Sequence, residues 1–228
     1  MKYLIASITP SEVARAAALG VHGIITNPSV IRETPSPWQD HLRQALTLQG
    51  GPVHLQATES GREAIVRQME GFRELVGTRL VAKLCLGVQE LAAMRDLHAL
   101  GVLVNITGLS TPLQASVAAQ AGADYVSLYV GRAEKFGDDG IRALADVRHF
   151  LDLHGYPAQI IAASLQHKHH LWAAAQAGAH QAAVPLNLME TALEHPVLSA
   201  SVAGFKADWA AVLDSAVVSG SARSPSAD

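Results

Sequence analysis

A single cysteine, Cys85, in 228 residues excludes an intrachain disulfide framework and any zinc site built on cysteines. One free thiol suits a reducing compartment, so the expected location is the cytoplasm. Aromatic residues make up only 5% of the chain and charged residues only 16%. The 17 basic and 20 acidic side chains leave a formal charge of −3 with no dense Lys/Arg run, so neither nucleic acid nor an anionic membrane is an expected partner. No uncharged apolar stretch approaches the ~20 residues that span a bilayer. The opening MKYLIASITPSE is too briefly apolar to read as a secretion signal. The nucleotide-binding patterns GxGxxG and GxxxxGK[ST] are also missing. What is present is a 49% hydrophobic fraction, which excludes wholesale disorder and supplies a core for one domain of this length.

The clearest organisational signal is a repeated joint. Leu19-Gly20-Val21, Leu100-Gly101-Val102, Ala121-Gly122-Ala123 and Ala177-Gly178-Ala179 each end a helix-like stretch and lead into an apolar run. Glycine in a left-handed cap stops a helix in this way, so four such joints imply βα units. Thr9-Pro10-Ser11-Glu12, Ser60-Gly61-Arg62-Glu63 and Thr111-Pro112-Leu113-Gln114 read as capping boxes at helix starts. The expected strands are Tyr3–Ala6, Gly23–Thr26, Val53–Gln56, Leu80–Leu84, Val102–Ile106, Tyr125–Tyr129, Ile160–Ser164 and Ala182–Pro185. They do not alternate polar and apolar, as suits parallel strands covered on both faces. About eight units close a (β/α)8 TIM barrel, which is favoured over an open doubly wound sheet.

A C-terminal helix over about 195–213 follows, with Leu198, Val202, Phe205, Trp209 and Val212 on one stripe. The stripe either covers the barrel's own surface or docks onto a neighbouring subunit. Residues 1–213 are thus expected to form a single domain, and the small, polar residues 214–228 a flexible tail.

In such a barrel the active site lies at the C-terminal ends of the strands. The polar residues there are Ser7, Thr26-Asn27, Gln56, Lys83, Asn105 with Thr107, Tyr129 with Arg132, Ser164 and Asn187. Lys83 stands out, inside Leu80-Val81-Ala82-Lys83-Leu84-Cys85-Leu86. An ammonium in an apolar strand is costly unless paired or neutralised. Burial lowers its pKa, and the neutral amine is the nucleophile that attacks a carbonyl. The alternative is a lysine whose stem is buried while its head reaches water or a carboxylate.

Thr26-Asn27-Pro28-Ser29, Lys83 on the fourth strand, Tyr125–Arg132 followed by Gly137-Asp138-Asp139-Gly140, Ala162-Ala163-Ser164, Val184-Pro185-Leu186 and Phe205–Trp209 together resemble the transaldolase family, in particular its short fructose-6-phosphate aldolase branch. The resemblance runs from residue 1 to about Leu213. It implies class I aldolase chemistry without metal or organic cofactor, on a sugar or sugar phosphate. Lys83 would form an iminium with a ketose carbonyl, and Tyr129 would transfer protons. Gln56 and Thr107 would position a water. Asn27 would hold donor hydroxyls, with Thr26 and Ser29 of the same motif also at the substrate. Arg132 and Ser164 would hold a phosphate, which the planar guanidinium fork suits.

Gln56 and Tyr129 stand where transaldolases of the family carry Glu and Phe, which favours release of free dihydroxyacetone over its transfer between sugars. The resemblance also implies a ring-based homo-pentamer or homo-decamer. Four positions depart from the pattern: Ala6 replaces an aspartate, Cys85 a proline, Gly131 an asparagine, and Gln166 a basic residue that Lys168 would replace in function. Three functions remain open: an aldolase, a transaldolase, and a low-activity or non-catalytic sugar-phosphate binder.

Elsewhere, His167-Lys168-His169-His170 reads as a solvated helix start, with a metal site as the alternative. Cys85 is expected as a small buried residue, and Trp38 as an anchor for the helix that follows the TNPS motif.

Overall fold

The computed structural model describes residues 1–35 and 37–221, the last seven as backbone only. The chain divides into two compact units, Met1–Met189 and the residues from Glu190 on.

The first unit is a closed barrel of eight parallel strands, each hydrogen-bonded to its sequence neighbours, with β8 returning to β1. The strands are β1 (Lys2–Ile5), β2 (Gly23–Ile25), β3 (Val53–Gln56), β4 (Leu80–Cys85), β5 (Leu103–Leu109), β6 (Tyr125–Tyr129), β7 (Gln159–Ala163) and β8 (Gln181–Val184). Around them lie α1 (Pro10–Ala18), α2 (Pro28–Arg32), α3 (Trp38–Leu48), α4 (Arg62–Val76), α5 (Val88–Ala99), α6 (Pro112–Gln120), α7 (Val130–Lys135), α8 (Gly140–His154), α9 (Lys168–Gln176) and α10 (Leu186–Thr191). All eight expected runs are strands, displaced by at most three residues at either end.

The joints work as their glycines suggest. Gly20, Gly101, Gly122 and Gly178 all have positive φ, between 73° and 101°. At Gly20 the N–H of Val21 reaches back to Ala16 O and that of Gly20 to Ala17 O, and the other three joints repeat this pair of bonds. This is the Schellman closure, and it satisfies carbonyls that the helix end leaves open.

Of the three expected capping boxes, one forms. Thr111 Oγ1 accepts from the N–H of Gln114, and Gln114 Oε1 accepts from the N–H of Thr111. Thr9 makes no side-chain cap, and its N–H, the donor that Glu12 would engage in a capping box, is bound to Ser7 Oγ. At the second, Gly61 takes the cap position at φ 87°, so Ser60 lies one residue too early. Thr111→Ala is therefore expected to cost about 1 kcal/mol in urea unfolding, and Thr9→Ala less than about 0.5 kcal/mol.

Alternation along the strands builds two cores. Outward-facing residues such as Leu55, Ala82, Leu84, Val104 and Ile106 pack against Ile65, Met69, Met94 and Leu97 of the helices. Inside the barrel a small cluster, Leu4, Ile25 and Ile161 with Ala6, Tyr125 and Ala183, draws on β6, β7, β8, β1 and β2. The opposite interior wall is polar: His54, Lys83, Asn105, Thr107 and Ser127 are all buried. Both faces of each strand are occupied, which is why no alternation is legible in their sequences.

The second unit carries α11 (Pro196–Ser221), which runs eight residues beyond the expected end at 213. From Phe205 to Ser219 the run holds neither proline nor glycine, so nothing stops the helix at Leu213. The expected flexible tail lies, for residues 222–228, outside the described residues. Leu198, Val202, Phe205, Trp209 and Val212 are exposed. No helix of the described residues is long and apolar enough to cross a membrane.

Candidate active site

The strand ends of β1, β2, β4, β6, β7 and β8 surround a cavity of about 410 Å³, to which Ala6, Thr26, Asn27, Lys83, Tyr129, Arg132 and Ser164 all contribute. Lys83 projects from the middle of β4 and is 4% exposed. Its Nζ donates to Thr26 O at 2.9 Å, a neutral partner that gives the ammonium no charge to pair with. Burial lowers its pKa to about 8; the nearby Cys85 opposes this shift and Arg132 adds to it. At that value about a tenth of the amine is neutral at pH 7, far more than at an ordinary lysine, and that form is the one carbonyl attack requires.

Thr26 is tied down twice, by that carbonyl and by Oγ1 donating to His54 O at 3.0 Å. Asn27 is the cap of α2, its Oδ1 accepting from the N–H of Val30 at 3.0 Å. That bond fixes the side chain at the cavity wall and leaves its amide hydrogens for a ligand. Ser29, by contrast, is exposed on α2 and does not line the cavity, because it lies one residue of helical rotation, about 100°, from Val30, which does.

Gln56 and Thr107 do not line the cavity but flank Lys83 in the sheet. Gln56 is paired in register with Lys83, and Thr107 with Cys85. Gln56 Oε1 and Thr107 Oγ1 are buried without a hydrogen-bond partner among the described residues. Cys85, expected to be buried, is exposed. As the last residue of β4, two beyond Lys83, it sits where the strand opens to solvent, and its Sγ accepts from Gln56 Nε2 at 3.6 Å.

Below Lys83 the wall is a hydrogen-bonded chain. Ser127 Oγ donates to Asn105 Oδ1 at 2.8 Å, and Asn105 Nδ2 donates to His54 Nδ1 at 3.2 Å. Burial, with the Lys83 charge adding to it, holds His54 at a pKa of about 3, so the ring is neutral and places no second cation under the lysine. Ser127 escaped the sequence reading because it lies mid-strand; its spacing of two from Tyr129 is the signal that puts both inside the barrel.

The outer end of the cavity is cationic. The Arg132 guanidinium lies over the Tyr129 ring, 4.6 Å from its centroid. Lys135, one turn further along the same face, also lines the cavity, with Glu33 across from it. Lys168 does not line it, so Lys135 is the additional cation present there. Ser164 is the sole described non-glycine residue with positive φ, 58°. Two departures from the family pattern meet here. A Cβ at Gly131 would stand 2.6 Å from Gln166 Cγ and 2.7 Å from Ser164 O, so Gln166 fills the space that a side chain at 131 would need.

The histidine run is not uniformly solvated. His167 caps α9 and His170 is 5% exposed, bonded to Glu134 of α7. Among the described residues no group of three or more His, Cys, Asp or Glu side chains is arranged to hold a metal ion. Asn187 bonds the following backbone N–H and stays out of the cavity, and Trp38 packs edge-on against Phe72.

A buried lysine in the C-terminal half of a parallel-barrel strand, in a polar cavity with a cationic outer end, is the arrangement by which a (β/α)8 enzyme would bring an amine to an anionic carbonyl compound. The Transaldolase/Fructose-6-phosphate aldolase family model matches residues 5–220, and the chain belongs to that family. A probable transaldolase of Hydrogenobaculum sp. (strain Y04AAS1) is 33% identical over 210 residues, covering 92% of this chain and 96% of its own. Another, from Anaeromyxobacter dehalogenans (strain 2CP-C), is 34% identical with the same coverage. Among solved structures, a flavocytochrome b2 variant with sulfite bound superimposes with a TM-score of 0.57 at 13% identity, over 81% of this chain and 56% of that one, a likeness of fold alone.

Proposed function

We propose that this chain is a class I aldolase that reversibly cleaves fructose 6-phosphate, or a related ketose phosphate, into dihydroxyacetone and an aldehyde. The observation that carries the reading is Lys83, buried at the cavity with its pKa lowered to about 8. Its neutral amine adds to the C2 carbonyl, and loss of water leaves an iminium. The C4 hydroxyl gives up its proton, with Tyr129 as the relay. The C3–C4 bond then breaks towards the iminium, which accepts the electron pair as an enamine. The aldehyde departs from the Arg132–Ser164 end with its phosphate. The enamine regains a proton at C3, and water adds to the re-formed iminium and releases dihydroxyacetone. Gln56 Oε1 and Thr107 Oγ1, which have no partner beside the Lys83 strand, would accept hydrogen bonds from that water if it reaches behind the cavity wall. Thr26 and Asn27 act on the donor side; the exposed Ser29 stays off the cavity.

The reading includes a cytoplasmic enzyme without a cofactor. It also includes a homo-pentamer or homo-decamer, since seven large apolar side chains among the described residues stand exposed along α11. Tyr129 in place of phenylalanine favours the aldolase, because a phenol can exchange a proton. The second reading, a transaldolase, is favoured by the names of the relatives.

Incubation with fructose 6-phosphate alone separates the two. Steady release of free dihydroxyacetone is expected. Turnover that begins only when erythrose 4-phosphate is added would make the chain a transaldolase instead. Sugar-phosphate binding with no turnover in either assay would leave a binding protein.

A further inference from the structure

The segments that bring Arg132 and Ser164 to the cavity are α7 and the turn between β7 and α9, and they are cross-linked behind the cavity wall. The N–H of Gly131 donates to Ser164 O at 3.1 Å, and Gln166 Nε2 donates to the same oxygen at 3.2 Å. Deeper, His170 of α9 bridges both segments. Its Nδ1 accepts from the backbone N–H of Gln166 at 3.2 Å, and its Nε2 meets Glu134 Oε2 of α7 at 3.0 Å.

We propose that His170, braced by Glu134, is the positioning residue for the anion-binding end of the cavity: it locks the turn carrying Ser164 against the helix carrying Arg132. This rests on the phosphate assignment made above for those two residues.

Three observations support it. His170 is 5% exposed and far from a passive surface position, so both its ring nitrogens need partners and both have them. Ser164 holds a left-handed backbone conformation at φ 58°, which a side-chain-bearing residue keeps only when its surroundings impose it. The donor on Nδ1 also fixes the tautomer: Nδ1 is bare and Nε2 carries the proton given to Glu134.

The same geometry makes the latch proton-sensitive. A proton added at Nδ1 would face the Gln166 N–H, donor against donor, and the turn would have to move. The groups facing the ring are Glu134 from α7 and His167 and His169 from its own helix start. Burial keeps the His170 pKa below its ordinary value, with Glu134 acting in the opposite direction. The latch is therefore intact at neutral pH and opens as pH falls below the usual histidine range.

The test uses the full chain and the variants His170→Phe, His170→Gln and Glu134→Ala. Dihydroxyacetone is condensed with glyceraldehyde 3-phosphate or with glyceraldehyde, and inorganic phosphate serves as the anion probe. His170→Phe and Glu134→Ala are expected to raise KM for the phosphorylated aldehyde about tenfold or more and to weaken phosphate inhibition to match. Values for glyceraldehyde should stay within about twofold. Glutamine at 170, which can accept from Gln166 and donate to Glu134, should bring KM back to within about threefold of the parent. The parent's KM for the phosphorylated aldehyde should climb below pH 6 more steeply than that of His170→Gln.

Equal effects on both aldehydes, or unchanged phosphate competition in a folded His170→Phe or Glu134→Ala protein, would overturn the latch. If the parent condenses neither aldehyde, the aldolase reading fails separately. Phosphate binding followed calorimetrically in the same proteins then decides the latch, which is lost if the parent binds no phosphate or the variants bind it equally.

Discussion

Borohydride added in the presence of dihydroxyacetone or fructose 6-phosphate is expected to fix one covalent adduct on Lys83 and on no other lysine. Lys83→Met should abolish the adduct and reduce turnover by at least about 10⁴-fold, the scale on which loss of a covalent nucleophile is felt. The variant should remain folded. Methionine preserves the volume, and the hydrogen bond lost to Thr26 O is offset by no longer having to bury an ammonium. The trapping rate should follow the neutral amine. With the pKa lowered to about 8, the rate rises about tenfold per pH unit below that value and levels off above it. An adduct on another lysine, or a pH-independent trapping rate, would remove Lys83 from the reaction. The peptide carrying the mass and the pH–rate curve together decide this.

Ala6→Asp should raise the cleavage rate, by about 10²-fold or more. Ala6 follows β1, lines the same cavity as Lys83, and is tied to β8 through its N–H bond to Val184 O. A carboxylate there supplies the proton acceptor that the apolar wall of Ala6, Ile25 and Ala183 does not offer to the C4 hydroxyl. It also pairs with the ammonium, so the Lys83 pKa moves up and the acid limb of the pH–rate curve moves to higher pH. The cost is desolvation of the new carboxylate, which should appear as a small loss of stability in urea unfolding. An increase in rate identifies a chain whose present wall suits another substrate or a slower reaction. A folded variant with unchanged or lower activity would show that position 6 takes no part in proton transfer here.

The candidate site was legible to the extent that local chemistry marks it. Lys83 is conspicuous because a cation interrupts six apolar or small neighbours, and an ammonium has no inexpensive reason to be there. Tyr129, Arg132, Asn27 and Thr26 could be placed at the cavity because each ends a strand or follows one within three residues. Ser29 could not, since one residue of helical rotation turns a side chain from the cavity to solvent. Cys85 misled for a related reason: an apolar strand suggests burial throughout, yet its last residue meets the open end of the barrel. Lys135 and Ser127 carry no local mark and become visible only through periodicity once their elements are known.

The sequence by itself determined the barrel's units. Eight apolar runs and four glycine-closed helix ends each act over a few residues, and local sterics and hydrogen bonding are sufficient to specify them. It also singled out Lys83 as the candidate nucleophile, because the cost of a buried charge is a property of that residue and its neighbours. Tertiary structure alone decided which interior wall is polar, and that Gln166 occupies the room left by Gly131. It alone joined His170 to Glu134 across 36 positions of chain. Those pairings depend on strand register and barrel closure, which bring together groups that no local pattern links.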